Sequence, residues 1–301
     1  MPSLRVVSFS ELSTARQCPL KHELSYVERW SRPQPANSAL YKGTYWHKAL
    51  EAHYTEIRRA QQAKEKPDLD ACRFAVEQAI DRADPEIAEL IWWMYQGHVD
   101  LYGTDDSWRI LAVEHSANVA LPTPRGNNSR FVLKIKIDLI VRDLSTRTRN
   151  VLVVDHKSGK DLPNSKILEL DDQFGLYTWG VQRLGHKVFG QLYNAARTLR
   201  TQADLKDPGT QPLDERFRRI PMYRTAKELE QTAIEAYLTA SARYRQQAEM
   251  KRQGLHSPRH TDPQVCAWKC DFLEPCMASR KGMDLNRFLR DSGFTVDRTR
   301  H

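Results

Sequence analysis

The chain has 301 residues, 40% of them hydrophobic, enough to bury one large core or two small ones. Its formal net charge is +8 and no run approaches about 18 apolar residues, which excludes a membrane-spanning helix and leaves a basic surface that suits a polyanion or is simply solvated. Glu11, Arg16 and Lys21 interrupt the early residues, so the apolar centre of a secretory leader is missing and the expected setting is cytoplasmic.

The first hundred or so residues read as helical, an N-terminal helical arch. Ser10 can cap a short helix reaching Cys18, and a longer helix is expected from Gly43 to about Gln62. Pro85 stands in the first turn of a helix to about Tyr102, with Ile87, Leu90, Ile91, Met94 and Tyr95 at the spacing of one buried face. At Trp108 the period becomes two, and strands are expected over 109–121, 130–142 and 151–157, separated by turn-rich segments at 122–129 and 143–150. A helix over 168–184, a strand over 187–195, a charged loop over 200–215, a short strand to Tyr223 and a long helix over 226–251 follow. This order gives an α/β fold. Aromatic and basic residues adjoin at Tyr41-Lys42, Tyr45-Trp46-His47-Lys48 and Tyr223-Arg224, a pairing that suits stacking on bases beside phosphate contacts. The sequence has no G-x-x-x-x-G-K-[ST] loop, so strand unwinding would fall to another chain.

Chemistry concentrates on two expected strands. In Phe131-Val-Leu-Lys-Ile-Lys-Ile-Asp-Leu-Ile-Val141 the odd positions are apolar, which sends Lys134, Lys136 and Asp138 to the other face. The apolar run Val151-Leu-Val-Val154 ends in Asp155-His156-Lys157, with Asp155 and Lys157 on one face and about 7 Å apart along the strand. Two aspartates can hold a divalent ion, a lysine can orient water or stabilise developing charge, and phosphodiester hydrolysis needs both. His47 and the His156 carbonyl can complete the ligand set. Each residue alone has an ordinary explanation: a solvated Asp–Lys pair, a packed helical histidine, and Glu51 supporting its helix one turn after His47.

Five cysteines remain. Cys72 falls in a helical stretch of Ala, Val and Ile and reads as a small buried hydrophobe. Cys18, followed by Pro19, and the clustered Cys266, Cys270 and Cys276 are expected in loops. In a reducing compartment such thiols favour ligation over disulfides, and four thiolates satisfy a tetrahedral metal or an iron–sulfur cluster while joining the chain's two ends.

In order and spacing, Gly43-Thr-Tyr-Trp-His47, Asp138, Asp155-His-Lys157-Ser-Gly159 and Gln173-Phe-Gly-Leu-Tyr177 resemble the motifs of the PD-(D/E)xK nuclease superfamily, in its RecB-like branch. With the bracketing cysteines the chain resembles that branch's iron–sulfur members: CRISPR-associated RecB-like exonucleases, the AddB nuclease domain and phage exonucleases. The resemblance spans roughly residues 8–280.

It implies a restriction-endonuclease-like core, with a central mixed sheet flanked by helices and a C-terminal cysteine clasp. One domain is expected, its helical part over about 1–105, its catalytic sheet over about 106–224, and its last helix and clasp over about 225–285 joined by Cys18. His47, Asp138, Asp155 and the His156 carbonyl would hold Mg or Mn, Lys157 would be the catalytic lysine, Gln173 and Tyr177 would position DNA, and Glu114 is a weaker acid of the same site. The cysteines would hold a structural 4Fe-4S cluster. Three residues separate Cys266 from Cys270 where two is more usual, and zinc is the alternative occupant.

The activity so implied is a metal-dependent DNA exonuclease acting on single-stranded DNA or duplex ends in bacterial or phage recombination, repair or DNA processing, with a helicase or recombination protein as partner and no membrane. The competing reading is a DNA-end-binding scaffold of weak catalysis, or a nuclease subunit that needs its partner.

Overall fold

The computed structural model describes residues 4–33, 35, 38–200 and 211–297, with the side chain of Lys269 excepted. In chain order the elements begin β1 (Arg5–Ser8), α1 (Phe9–Gln17), α2 (Pro19–His22), a π-helical turn (Glu23–Val27), β2 (Trp30–Ser31), α3 (Ala39–Ala63), α4 (Leu69–Ile80) and α5 (Pro85–Tyr102). Then come β3 (Trp108–Pro122), β4 (Asn128–Asp143), β5 (Val151–Gly159), α6 (Ser165–Leu168), α7 (Asp172–Arg183), β6 (Val188–Arg197), α8 (Leu213–Arg216) and β7 (Phe217–Met222). The last are α9 (Ala226–Arg252), α10 (Pro263–Lys269), α11 (Leu273–Arg280), α12 (Leu285–Asp291) and β8 (Thr295–Val296).

Several expected boundaries move for local reasons. Ser8, not Ser10, caps α1, its hydroxyl accepting from the Glu11 amide at 3.2 Å. Ser38 caps α3 through the Tyr41 amide, so the helix starts four residues before Gly43 and that glycine lies inside it. Two short strands, β1 and β2, interrupt the stretch expected to be helical. The cysteines are not all in loops. Asp262 caps α10 and thereby places Cys266 on a helix, while Cys276 lies in α11. Most of the charged loop expected over 200–215 lies outside the described residues. No helix among the described residues is long and apolar enough to cross a membrane.

The chain forms two compact units: a first of Met1–Gln34, Ala120–Lys134 and Ala233–His301, and a second of Pro35–Val119 and Ile135–Thr232. In the second unit β4 runs antiparallel to β5, β5 parallel to β6, and β6 antiparallel to β7, which makes the sheet mixed. One face is covered by α3 and α5, whose Trp46, Leu50, Tyr54, Ile91 and Met94 pack in one buried cluster with Leu139, Val154 and Leu192. Cys72 belongs to this core, fully buried as expected, with its thiol pushed up to about 12 by burial. Helix α7 packs on strand residues through Phe174 against Tyr193 and through Gly180 against Ile135.

In the first unit β1 lies parallel to the start of β4, Arg5 opposite Phe131 and Ser8 opposite Lys134. A second core joins Leu20, Leu24 and Trp30 to Phe272, Leu285, Leu289 and Phe294, with Cys18, Cys270 and Cys276 packed against it. Residues over 200 positions apart in sequence are tied here: the Glu23 carboxylate accepts from the Ser257 amide at 2.8 Å, and Arg243 donates to the Pro19 carbonyl at 2.9 Å.

Candidate active site

The buried residues Val151, Val153 and Val154 anchor β5 in the sheet, and Asp155, His156 and Lys157 continue the same strand, paired with Tyr193, Asn194 and Ala195 of β6. Alternation then works as the sequence suggests. Asp155 and Lys157 share a face, with Lys157 Nζ 2.7 Å from Asp155 Oδ2. From α7, Gln173 Nε2 reaches Asp155 Oδ1 at 3.5 Å, and Tyr177 is near enough for the Asp155 charge, after burial, to push its phenol up to about 12.

Asp138 arrives from the neighbouring strand. The β4–β5 ladder runs to the pair Leu139–Val154, and one residue beyond it the Asp138 carboxylate takes the His156 amide proton at 2.7 Å. From α3, His47 Nδ1 stands 3.4 Å from Asp138 Oδ1. Burial works to raise the Asp138 carboxyl, but the hydrogen bond and charge of His47 outweigh it and hold the group down at about 2. Asp155 goes the other way: burial, helped by the charge of Asp138 and opposed by Lys157, pushes it up to about 6. Two buried carboxylates that share one site and titrate apart mark a place where added positive charge is stabilising.

The donor set fits a divalent cation. One donor atom each from His47, Glu114 and Asp138 lies within 4.8 Å of the others, and the two carboxylates are the oxygen donors that suit Mg or Mn. Glu114 reaches this place at a backbone φ of 47°, the left-handed region that few side chains adopt, and it pairs with Lys136 at 2.5 Å. The open pocket beside these groups is lined by Gly43, His47, Glu51, Glu114, Lys136 and Lys157.

Behind the site lies a network that sequence reading missed. Asn194 Nδ2 is 2.9 Å from His156 Nδ1, and the Tyr54 ring stacks on the His156 ring at 5.5 Å and 6°. Tyr54 donates its hydroxyl to Asp105 at 2.8 Å, and Arg219 grips both oxygens of Asp105 at 2.5 and 2.8 Å. Burial drives the His156 imidazole down to about 3, so its ring is neutral and held from behind while its backbone faces Asp138. Tyr54 follows His47 by seven residues, two helical turns, and that spacing was the one available signal. Asn194, Asp105 and Arg219 gave none, because they are joined only by folding.

Elsewhere, Cys18, Cys266, Cys270 and Cys276 line one cavity of the first unit together with Leu20, Leu24, Val265 and Phe272. Burial raises the Cys270 thiol, with the nearby Cys266 and Cys18 adding to the effect. The structure thus groups His47, Glu114 and Asp138 around one point, sets Lys157, Gln173 and Tyr177 about Asp155, and separately gathers the four thiols.

Comparison with known proteins gives a family-level match: the model of the PD-(D/E)XK nuclease superfamily fits residues 6–277. No curated protein matches the sequence. A solved structure titled "Crystal structure of SSO0001" is similar at 13% identity over 87% of this chain and 92% of that chain, with a TM-score of 0.33, too low to carry weight.

Proposed function

Because the chain belongs to the PD-(D/E)XK nuclease superfamily, and so is a nuclease of α/β fold with a mixed central sheet, we propose that it is a metal-dependent DNA exonuclease acting on single-stranded DNA or duplex ends. The observation that carries this reading is the convergence of Asp155 and Lys157, 2.7 Å apart, with the His47–Asp138 pair.

His47, Asp138, Asp155 and the His156 carbonyl would hold Mg or Mn, with Glu114 as a further acid. The bound ion supplies Lewis acidity toward water and phosphate oxygen. The protein's own groups do the rest. Asp155 holds Lys157 in place, and although burial works to lower the lysine, the charge and hydrogen bond of Asp155 together with the charge of Asp138 outweigh it and keep the ammonium charged. Lys157 can then donate to a water or to a phosphate oxygen gaining charge. Gln173 reaches the far oxygen of Asp155, Tyr177 stands near the same carboxylate, and both would line the DNA path.

The four thiols suit a structural 4Fe-4S cluster, with zinc as the alternative. Their shared cavity and their packing against the core of the first unit support a stabilising rather than a redox role. The absence of a phosphate-binding loop supports partnership with a helicase or recombination protein, in bacterial or phage DNA processing.

The test is to incubate the protein and its Lys157→Ala variant with single-stranded DNA labelled at either end, in Mg, Mn or EDTA. Metal-dependent degradation lost in the variant is the expected result, and the ladders give polarity. Intact DNA with binding retained by the wild type would replace this reading with that of a scaffold or a partner-dependent subunit.

A further inference from the structure

The β4–β5 turn and the start of β6 form a second concave feature, in the same unit but away from the catalytic residues. Its lining includes Arg142, Arg149, Asn150, Lys187 and Phe189, and no carboxylate. Asp143, which follows Arg142 in the chain, is engaged by the amide and hydroxyl of Ser145 at 2.9 and 2.6 Å. Arg149 is built into the turn at φ 47°, its amide donating to the Thr146 carbonyl at 3.0 Å, so its direction is set by the backbone.

An aromatic pair adjoins these cations. Between β5 and β6 the register skips one residue: Val151 pairs with Val188 and Leu152 with Gly190. The skipped residue is Phe189, and such a bulge re-aims its side chain. Phe189 is 56% exposed and meets the 60%-exposed Tyr223 edge to face at 5.3 Å. Gly190 makes room for this, since a Cβ there would lie 2.7 Å from the Tyr223 ring. Two large rings held in water beside three cations and no anion have no folding reason to be there. Stacking on bases while contacting phosphates is what that combination does.

We infer that this feature is a second binding site for single-stranded nucleic acid, in which Phe189 and Tyr223 stack on bases while Arg142, Arg149 and Lys187 hold phosphates. It rests on the nuclease reading only for the identity of its ligand, the same strand that is cut at Asp155. Val151 and Asp155 lie four residue steps apart on β5, about 13 Å. The site therefore engages only strands long enough to reach from one place to the other.

The experiment measures binding of labelled oligothymidylates by fluorescence anisotropy in EDTA, where nothing is cleaved, using a short strand of about two nucleotides and a longer one of about fifteen. The proteins are wild type, Lys187→Glu, the double variant Arg149→Glu/Lys187→Glu, and Phe189→Ala, each with its thermal transition recorded. The double variant is expected to lose about tenfold or more in affinity for the longer strand, with a salt slope shallower by about 1.4, or ~0.7 per lost contact. Phe189→Ala should weaken the same strand by about fivefold or more. Affinity for the short strand, and its cleavage in Mg, should not change. Unchanged affinity for the longer strand in the folded Lys187→Glu and Phe189→Ala variants overturns the proposal, as does an equal loss at both lengths. If the wild type binds as expected but never cleaves in Mg, the exonuclease reading fails and this site stands.

Discussion

The His156 amide nitrogen sits 2.7 Å from Asp138 Oδ2, so the carboxylate that faces His47 with one oxygen uses the other to fasten the strand carrying Asp155 and Lys157. Position and charge are thereby coupled at Asp138. Replacing Asp138 by Asn keeps an acceptor for that amide and removes the charge. Cleavage should fall by roughly 10²–10³, the range for losing one preorganised electrostatic group. Binding of the longer oligonucleotide in EDTA should persist, and near-wild-type cleavage in a single-turnover assay would remove Asp138 from the site.

The support behind His156 should show its own signature. Tyr54→Phe deletes the hydroxyl that donates to Asp105 at 2.8 Å while leaving the ring stacked on His156. The expected loss is about 1–3 kcal/mol in urea unfolding, the range for a buried carboxylate left short of a partner. Asn194→Ala instead frees the His156 ring. It should depress cleavage more than it depresses stability, and the reverse ordering would make the network purely structural.

Acid should weaken the fold through three buried histidines. Burial drives His53 down to about 4, His156 down to about 3 and His98 well below its ordinary 6.5, so all three are neutral in the folded state. The unfolded chain binds protons that the folded chain refuses as pH drops from 6.5 toward 4. Stability is therefore fully present above that window and lost within it, by about 1.4 kcal/mol per pH unit for each histidine. Urea midpoints at pH 7.5, 6 and 5 measure this, and His53→Gln should flatten the slope by one histidine's share. An unaltered slope would show that His53 is accessible to protons.

A packing prediction concerns Gly180, where a Cβ would stand 2.9 Å from Ile135 Cδ1. Both groups are buried, so Gly180→Ala should destabilise by about 1–3 kcal/mol through overpacking. Ile135→Val in the same chain should restore part of it. Failure of that rescue in thermal unfolding would place the strain elsewhere.

Cys270→Ser removes one of the four thiols that line a single cavity. Anaerobically purified protein should then lose iron and acid-labile sulfide together and unfold at lower temperature, with oligonucleotide cleavage affected only through stability. Stoichiometric zinc without iron in the wild type would reassign the centre.

The candidate set was legible because strands write their faces into sequence with period two. Asp138 and the Asp155–Lys157 pair follow from apolar alternation alone, and the family motifs add His47, Gln173 and Tyr177. Helix starts were less legible. Ser8 and Ser38 compete with Ser10 and Gly43 as starting points, and hydrogen bonds decide between them. The residues behind His156 were invisible for another reason. Tyr54, Asp105, Asn194 and Arg219 come from four separate segments of chain, and each alone is an ordinary polar residue. The exposure of Phe189 likewise depends on a one-residue skip in strand register that no local pattern announces.

The division of the chain has a temporal consequence. All of the second unit precedes residue 233, whereas the first unit draws on segments at both ends, with Cys18 early and Cys266, Cys270 and Cys276 late. During synthesis at about 5–20 residues per second, roughly 3–13 s separate the emergence of residue 232 from that of the last described residues. Through that interval the nuclease core can already be shaped while Cys18 waits without its companions, so insertion of any metal centre there is a late, post-catalytic-core step in the life of the chain.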